Sequence, residues 1–73
     1  MIEIYSRDAC PNCDAAIKLC EAKAIPATVY KLGIDYTREE LIERCGAPVR
    51  SVPQIFMGRV HIGGIEQLRS CLR

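Results

Sequence analysis

The segment Asp8–Asp14, which reads DACPNCD, decides the architecture of this 73-residue chain. It follows Ile2–Tyr5, a short stretch rich in strand-forming residues, and it leads into Pro11–Ala24, which has helical composition and no internal breaker. Proline is well accommodated at the first position of a helix, because its missing N–H would have no partner there. The segment therefore predicts a strand that passes into a helix, with Cys10 at or beside the N-cap and Cys13 one turn further along.

The predicted position of Cys10 favours a reactive sulfur. Unpaired N–H groups and the positive end of the helix dipole point at it, and both favour the thiolate, which is the nucleophilic form. A Cys-x-x-Cys pair behind a strand is typical of a redox dithiol. A structural disulfide would close a very short loop and stabilise little, and a zinc site would require four ligands, usually in two close pairs. The other candidate ligands form no second pair, so we favour the redox dithiol over a metal site; they are Cys20, Cys45, His61 and Cys71.

Length and composition narrow the class of protein. A chain of 73 residues with 49% hydrophobic and 26% charged residues predicts one globular domain over residues 1–73. The net charge of +1 gives no reason to expect nucleic acid or an anionic membrane as a partner. No apolar run approaches the roughly 20 residues of a membrane span. We expect no signal peptide before the first strand, and the odd count of five cysteines indicates a reducing compartment, so we predict a cytoplasmic protein.

The rest of the chain predicts an α/β fold. Thr37 and Glu40 form a capping box that opens a second helix, and Gly46 ends it. A strand, a crossover helix and a second strand imply a right-handed parallel unit, to which the hairpin at Gly58–Arg59 adds two strands. The order β-α-β-α-β-β-α thus gives a four-stranded mixed sheet flanked by helices on both faces. The further strands are predicted at Ala27–Lys31, Gln54–Met57 and Val60–Ile62, and the last helix at Ile65–Leu72.

Some residues allow a functional and a structural interpretation. Cys13, Ile17, Cys20 and Ala24 are spaced as one apolar face of the first helix, so Cys20 is interpreted as a core residue. Arg7 lies three residues before Cys10, where it can stabilise a thiolate or hold a substrate carboxylate. A solvated loop arginine is an equally good interpretation.

Three short motifs together resemble the dithiol branch of the glutaredoxin family, which has the thioredoxin-like fold. They are Cys10–Cys13 behind the first strand, Ser51–Pro53 before the third, and Gly63–Gly64 before the last helix. The resemblance covers essentially the whole chain. The family's Cys-Pro-Tyr-Cys motif has Asn12 in place of tyrosine here, and its Thr-Val-Pro loop corresponds to Ser51–Pro53. The resemblance implies a cis bond between Val52 and Pro53.

The resemblance also implies roles for individual residues. Cys10 would be the attacking cysteine and Cys13 the resolving one, in a thiol–disulfide oxidoreductase. The family prefers Asp-Asp where this chain has Glu66 and Gln67. Glutathione would lie along the backbone of Val52 with a carboxylate at Arg7 and its other end at the start of the last helix. The residues expected to contact it are Arg7, Asn12, Val52, Pro53, Gly64, Ile65 and Glu66.

The family resemblance further implies reductant and partners. Glutathione would serve as the reductant, no cofactor or metal would be tightly bound, and the protein would be a monomer. Protein disulfides, such as that of ribonucleotide reductase, and glutathione mixed disulfides would be the substrates. Two alternatives stay open: reduction by thioredoxin reductase, and an iron–sulfur cluster held between two subunits through Cys10. The bulky Pro11–Asn12 pair argues against the cluster, which is found chiefly with small residues in the motif.

Overall fold

A computed structural model describes residues 1–49 and 51–72 of the chain. The order of elements is the predicted one, β-α-β-α-β-β-α. None of the helices in the described ranges has the length and apolar character of a transmembrane segment. The elements are β1 (Ile2–Ser6), α1 (Pro11–Ala22), β2 (Ala27–Lys31), α2 (Arg38–Cys45), β3 (Gln54–Met57), β4 (Val60–Gly63) and α3 (Ile65–Cys71).

The four strands form one mixed sheet in the order β2-β1-β3-β4. β1 pairs in parallel with β2 and antiparallel with β3, and β3 pairs antiparallel with β4. Ile4 in the middle of β1 lies opposite Val29 on one side and Ile55 on the other. The predicted mixed four-stranded α/β fold is therefore confirmed. Because β1 is internal, its carboxyl end delivers the cysteine loop near the middle of the sheet.

The two faces of the sheet carry different side chains, because successive residues of a strand point to opposite sides. Ile2 and Ile4 of β1 face α1 and α3, whereas Tyr5 faces α2. The first face buries what we call the aliphatic cluster: Ile2, Ile4, Ala16, Cys20, Ile55, Ile65 and Leu68. The second face buries what we call the aromatic cluster: Tyr36, Leu41 and Phe56, with Tyr5 and Tyr30 packed against them. Helices thus cover both faces, as predicted.

The predicted signals at the ends of α2 are confirmed. The Glu40 N–H donates to Thr37 Oγ1 at 3.2 Å, and the Thr37 N–H donates to Glu40 Oε1 at 2.9 Å. Gly46 has φ +73°, a left-handed conformation that glycine adopts at low cost. Cys20 is buried in the aliphatic cluster, which agrees with its interpretation as a core residue, and Cys45 is half-buried.

The predicted end of α1 at Ala24 was wrong. The helix ends at Ala22, and Ala24 adopts φ +55° with its N–H bonded to the Glu21 carbonyl oxygen. The Ile25 N–H donates back to the Cys20 carbonyl at 2.9 Å, which completes a Schellman turn. The left-handed backbone at Ala24 is the physical reason the helix stops, and Pro26 then favours extended backbone at Ile25, so the helix does not resume. Ala24 is therefore exposed, and the residues that α1 buries are Cys13, Ala16 and Cys20.

Candidate functional site

The local backbone places Cys10 at the start of α1. β1 extends through Ser6, one residue beyond its predicted end, and Ala9 turns the loop with φ +53°. Cys10 then adopts extended backbone angles, φ −121° and ψ +100°, as the N-cap of α1. Pro11 occupies the first helical position, where it costs no hydrogen bond. The predicted N-cap position of Cys10 is confirmed.

The sulfur of Cys10 acts as the cap of the helix. The Cys13 N–H donates to Cys10 Sγ at 3.2 Å, the bond that a serine or aspartate oxygen makes at many N-caps. Both thiols are enclosed, with 4% of Cys10 and 1% of Cys13 exposed. A backbone donor and a helix N-terminus at one sulfur stabilise negative charge on it. The geometry suits Cys10 to nucleophilic attack.

Cys13 lies in a different environment from Cys10. Burial and, to a smaller extent, the hydrogen bond with Cys10 raise the pKa of the Cys13 thiol to about 12. The backbone of Arg7 opposes this shift without cancelling it. At neutral pH Cys13 is therefore a protonated thiol. The pair thus joins a sulfur suited to attack with a neighbour that holds a proton.

The loop before β3 closes over Cys10. The Val52–Pro53 bond is cis, as the family resemblance implied, and Pro53 is buried. The Cys10 thiol lies 3.7 Å from the Val52 carbonyl oxygen, across 42 positions of sequence. A side chain on Gly64 would lie 3.7 Å from the Pro53 carbonyl oxygen, so the start of α3 adjoins the same loop. The fold brings the three sequence motifs together around one sulfur.

A groove beside this loop has a volume of about 230 Å³. It contains two guanidinium side chains, those of Arg7 and Arg38, and within residues 1–49 and 51–72 neither forms an ion pair with a carboxylate. Tyr36 donates its hydroxyl to the Ser6 carbonyl oxygen at 2.8 Å, and burial raises its pKa to about 12. A partly apolar groove with two cations suits an anionic ligand. Its lining residues are Arg7, Leu32, Tyr36, Arg38, Leu41, Val49, Ser51 and Val52.

The structure places the predicted contact residues in two groups. Arg7 and Val52 line the groove, next to Pro53. Asn12 is exposed on the first turn of α1, whereas Gly64, Ile65 and Glu66 lie at the start of α3, outside the groove lining. The Gly64 N–H is already bonded to Gln67 Oε1 at 2.9 Å. The second group is thus available to a ligand only if that bond opens or if the ligand uses other atoms.

Sequence reasoning missed Arg38 and Tyr36 as residues of the site. Arg38 is the first residue of α2 and lies 28 positions after Cys10, so no local motif links the two. Tyr36 directly precedes the capping box, in a connecting segment with no motif of its own. The basic residue directly after the Thr37 N-cap is Arg38, and it was the available signal. Whether this residue lines a site depends on how α2 packs on the sheet.

Metal ligation has little basis in the described residues. Across residues 1–49 and 51–72, no three His, Cys, Asp or Glu side chains converge in a way that could hold an ion. All five cysteines are free thiols. The groups that converge are the two thiols, the Val52 backbone and the two arginines, and this arrangement suits sulfur chemistry on an anionic substrate.

Comparison with known proteins also agrees with sulfur chemistry at this site. The family model described as Glutaredoxin matches residues 2–62. Glutaredoxin 3 of Escherichia coli K12 is 40% identical over 70 residues, covering 92% of this chain and 80% of the relative. The structure of reduced E. coli glutaredoxin superposes with a TM-score of 0.80 at 32% identity, covering 97% of this chain and 91% of that one. Glutaredoxin 1 of Francisella tularensis, solved with cacodylate, gives 0.81 at 27% identity and covers 97% and 90%.

Proposed function

Since this chain belongs to the glutaredoxin family of thiol–disulfide oxidoreductases, we propose that it reduces protein disulfides and glutathione mixed disulfides, with glutathione as its reductant. The observation that carries the proposal is the environment of Cys10. Its sulfur accepts the Cys13 N–H at 3.2 Å at the start of α1, lies 3.7 Å from the Val52 carbonyl oxygen, and adjoins a groove with two arginines. Sulfur, backbone edge and cations are the three features that a glutathione disulfide requires.

Cys10 carries out the first step. Its thiolate attacks one sulfur of the substrate disulfide, the substrate S–S bond breaks, and the second sulfur leaves as a thiolate. The product is a mixed disulfide between Cys10 and the substrate. Before the reaction, the capping N–H of Cys13 stabilises the negative charge on the Cys10 sulfur. This hydrogen bond is released when the sulfur becomes neutral in the mixed disulfide.

Cys13 completes the reduction of a protein disulfide. The first leaving thiolate can take the Cys13 proton, after which the Cys13 sulfur attacks Cys10 Sγ. The mixed disulfide breaks, the second substrate sulfur leaves, and a Cys10–Cys13 disulfide forms. Two glutathione molecules then return both thiols and leave as glutathione disulfide. The pKa of about 12 at Cys13 means that this cysteine stays protonated and does not compete with Cys10 for the first attack.

Glutathione would bind with its cysteinyl backbone along Val52, in the manner of an added strand. Arg7 and Arg38 would then hold a carboxylate in the groove, because a guanidinium presents paired donors to such a group. The other end would lie near Gly64, Ile65 and Glu66, with Asn12 and Pro53 beside the reacting sulfurs. At the start of α3, glutathione competes with Gln67 for the Gly64 N–H. We propose that Arg7 and Arg38 contribute most of the affinity.

Substitution of the two cysteines tests the assigned roles. We expect Cys10→Ser to abolish all turnover, because no other sulfur occupies the helix cap. We expect Cys13→Ser to stop the reduction of protein disulfides and to retain the removal of glutathione from a glutathionylated peptide, which needs one thiol only. Cys71→Ser, at an exposed cysteine outside the site, serves as the matched control. Full activity in Cys10→Ser would reject this mechanism.

The reductant is tested separately. NADPH consumption is followed with the oxidised protein in two mixtures, one with glutathione and glutathione reductase, the other with thioredoxin reductase. We expect fast turnover with glutathione only. Turnover with thioredoxin reductase alone would keep the dithiol mechanism and replace the reductant.

Ribonucleotide reductase is the proposed protein substrate, and its reduction is measured in the mixture that supports turnover. A monomer in the cytoplasm, where free thiols persist, suits this role.

A further inference from the structure

Helix α2 depends on few apolar contacts for its place on the sheet. Leu41 is the one fully buried residue among its eight, and it joins the aromatic cluster from the first half of the helix. In the second half, Ile42 and Cys45 are half-buried. Cys45 packs against the aromatic cluster, and Arg44 adds the polar contacts of this second half.

Arg44 binds three acceptors on two different parts of the sheet. Its Nη1 donates to the Tyr5 hydroxyl at 2.6 Å, and its Nη2 donates to Glu3 Oε1 at 2.7 Å and to the Gly58 carbonyl oxygen at 3.1 Å. Its guanidinium carbon also lies 4.2 Å from the centroid of the Phe56 ring. One side chain of α2 thus contacts β1, β3 and the turn between β3 and β4.

Glu3 extends these contacts to β2, the edge strand next to β1. Its second oxygen accepts the Tyr30 hydroxyl at 2.9 Å, so both oxygens of the carboxylate are bonded. Hydrogen bonds from Arg44 and Tyr30 lower the pKa of Glu3, and the bond to Glu3 raises the pKa of Arg44. With side-chain exposures of 30% for Arg44 and 22% for Glu3, the pair is partly shielded from solvent. We call these contacts the Arg44 network: Arg44, Glu3, Tyr5, Tyr30, Phe56 and the Gly58 carbonyl.

The helix that Arg44 holds also carries part of the groove lining. Arg38 and Leu41 of α2 line the groove, and so do Val49 and Val52, which follow the end of α2 at Gly46. Movement of α2 on the sheet would therefore displace lining residues within the helix and after it. Helix α1, which Cys10 caps and which carries Cys13, packs on the other face of the sheet, and the Arg44 contacts given above for the described residues do not include it.

We infer that Arg44 is a positioning residue for the groove: by fixing α2 on the sheet it sets the positions of the lining residues Arg38 and Leu41, and so the affinity for glutathione, without touching the reacting sulfurs. The affinity part of this inference rests on the proposed function. Lysine is a poor replacement. A single ammonium group cannot donate to Glu3, Tyr5 and Gly58 in the geometry of the planar guanidinium while it also stacks on Phe56.

The first experiment needs no ligand. Native-state hydrogen exchange is measured for the amides of residues 41–46 in the wild type and in Arg44→Met, which keeps the apolar stem and removes the guanidinium. We expect about tenfold faster exchange in the last turn of α2, as the loss of charged hydrogen bonds and a cation–π contact implies. Exchange at Ile4 and Ile55 should stay unchanged. Arg69→Met removes the same charge from the exposed Arg69–Glu66 pair and serves as the control.

The second experiment separates binding from chemistry. With a glutathionylated peptide as substrate, we expect Arg44→Met to raise KM by about tenfold at unchanged kcat, the pattern of lost ground-state binding. The rate of Cys10 alkylation should stay the same, and Arg44→Lys should recover only part of KM. An equal fall in kcat, or an unchanged KM, would overturn the inference. Glu3→Gln gives a milder form of the same test if Arg44→Met does not fold.

The two readouts also separate this inference from the proposed function. Faster exchange in α2 of Arg44→Met, together with no glutathione turnover by the wild type, would reject the proposed reductant and keep Arg44 as the residue that positions α2. Unchanged exchange in α2 would overturn the inference whatever the kinetics of the wild type.

Discussion

The two faces of the sheet are built differently, and the difference separates stability from binding. The aliphatic cluster joins two helices to two strands with seven buried apolar residues. The aromatic cluster joins one helix to the sheet with three, and polar contacts of Arg44 complete the attachment. The groove lies on the second face. A closed apolar core tolerates no ligand, whereas a thinly packed face leaves a groove that polar contacts can shape.

Cys10 and Cys13 lie at the boundary between the two faces. Cys13 belongs to α1 and Cys10 caps it, and the aliphatic cluster holds this helix, yet Cys10 adjoins Val52, which lines the groove on the other face. A rigid helix therefore presents the reactive sulfur to a more adaptable binding surface. This arrangement predicts that changes on the two faces have separable effects on stability and on substrate binding.

The largest effect is expected from a pair of leucine substitutions, one on each face. Leu68→Ala removes a side chain that is fully buried in the aliphatic cluster, and should lower the free energy of unfolding by about 2–5 kcal/mol. Leu41→Ala should fall near the lower end of that range, because the adjoining groove lets its surroundings relax or hydrate. Urea denaturation measures both. Only Leu41→Ala should also raise KM for a glutathionylated peptide, and the reverse pattern would contradict the proposed division between the faces.

An intermediate effect is expected from alkaline pH, because each face buries an acid that ionises late. The pKa values of Cys13 and Tyr36 are raised to about 12, from ordinary values of 9.0 and 10.0. The folded state therefore holds these protons more tightly than the unfolded chain. The resulting stability is fully present below pH 9 and is lost as the pH rises to about 12. Burial also raises the pKa of Cys20 and Cys45 and adds to the slope.

Single substitutions assign this alkaline slope to its sources. Cys13→Ala and Tyr36→Phe should each flatten the curve of unfolding free energy against pH between pH 9 and 12. Below pH 9 both curves should run parallel to that of the wild type. A wild-type curve that stays flat up to pH 12 would show that neither group is buried in its neutral form.

The smallest effect is expected at the start of α2. Thr37→Ala removes one hydrogen bond of the capping box and should cost about 1 kcal/mol of unfolding free energy. Thr37→Ser keeps the hydroxyl and is the matched control, which should stay close to the wild type in urea denaturation. Because Arg38 follows the cap directly, Thr37→Ala should also weaken glutathione binding. A stability loss with no change in binding would show that the cap does not position Arg38.

Local patterns predicted the elements well, since each has its signals within a few residues. Proline after Cys10, the Thr37–Glu40 box and Gly46 all act over one helical turn. The prediction was wrong at Ala24, where the apolar spacing continued but a Schellman turn with left-handed backbone at Ala24 ends α1 at Ala22. Bounds of β1, β4 and α3 differed by one residue each.

The site was predictable to the extent that its residues lie in recognisable motifs. Cys10 and Cys13 stand out by their spacing, and family resemblance added Val52 and Pro53. Arg38 did not stand out, because an arginine in the first turn of an exposed helix has no distinguishing local pattern. Arg44 was equally inconspicuous, although its contacts reach positions 39 and 41 residues away in sequence.

The sequence by itself determined the helix cap at Cys10, the order of elements and the dithiol, because these follow from backbone preferences and hydrophobic spacing over short distances. Only the tertiary structure decided that Val52 lies against the Cys10 sulfur, that Arg7 and Arg38 share a groove, and that Arg44 fastens α2 to the sheet. The physical reason is that these contacts join residues from different elements. Their geometry depends on how both faces of the sheet are packed, and no single stretch of sequence contains that information.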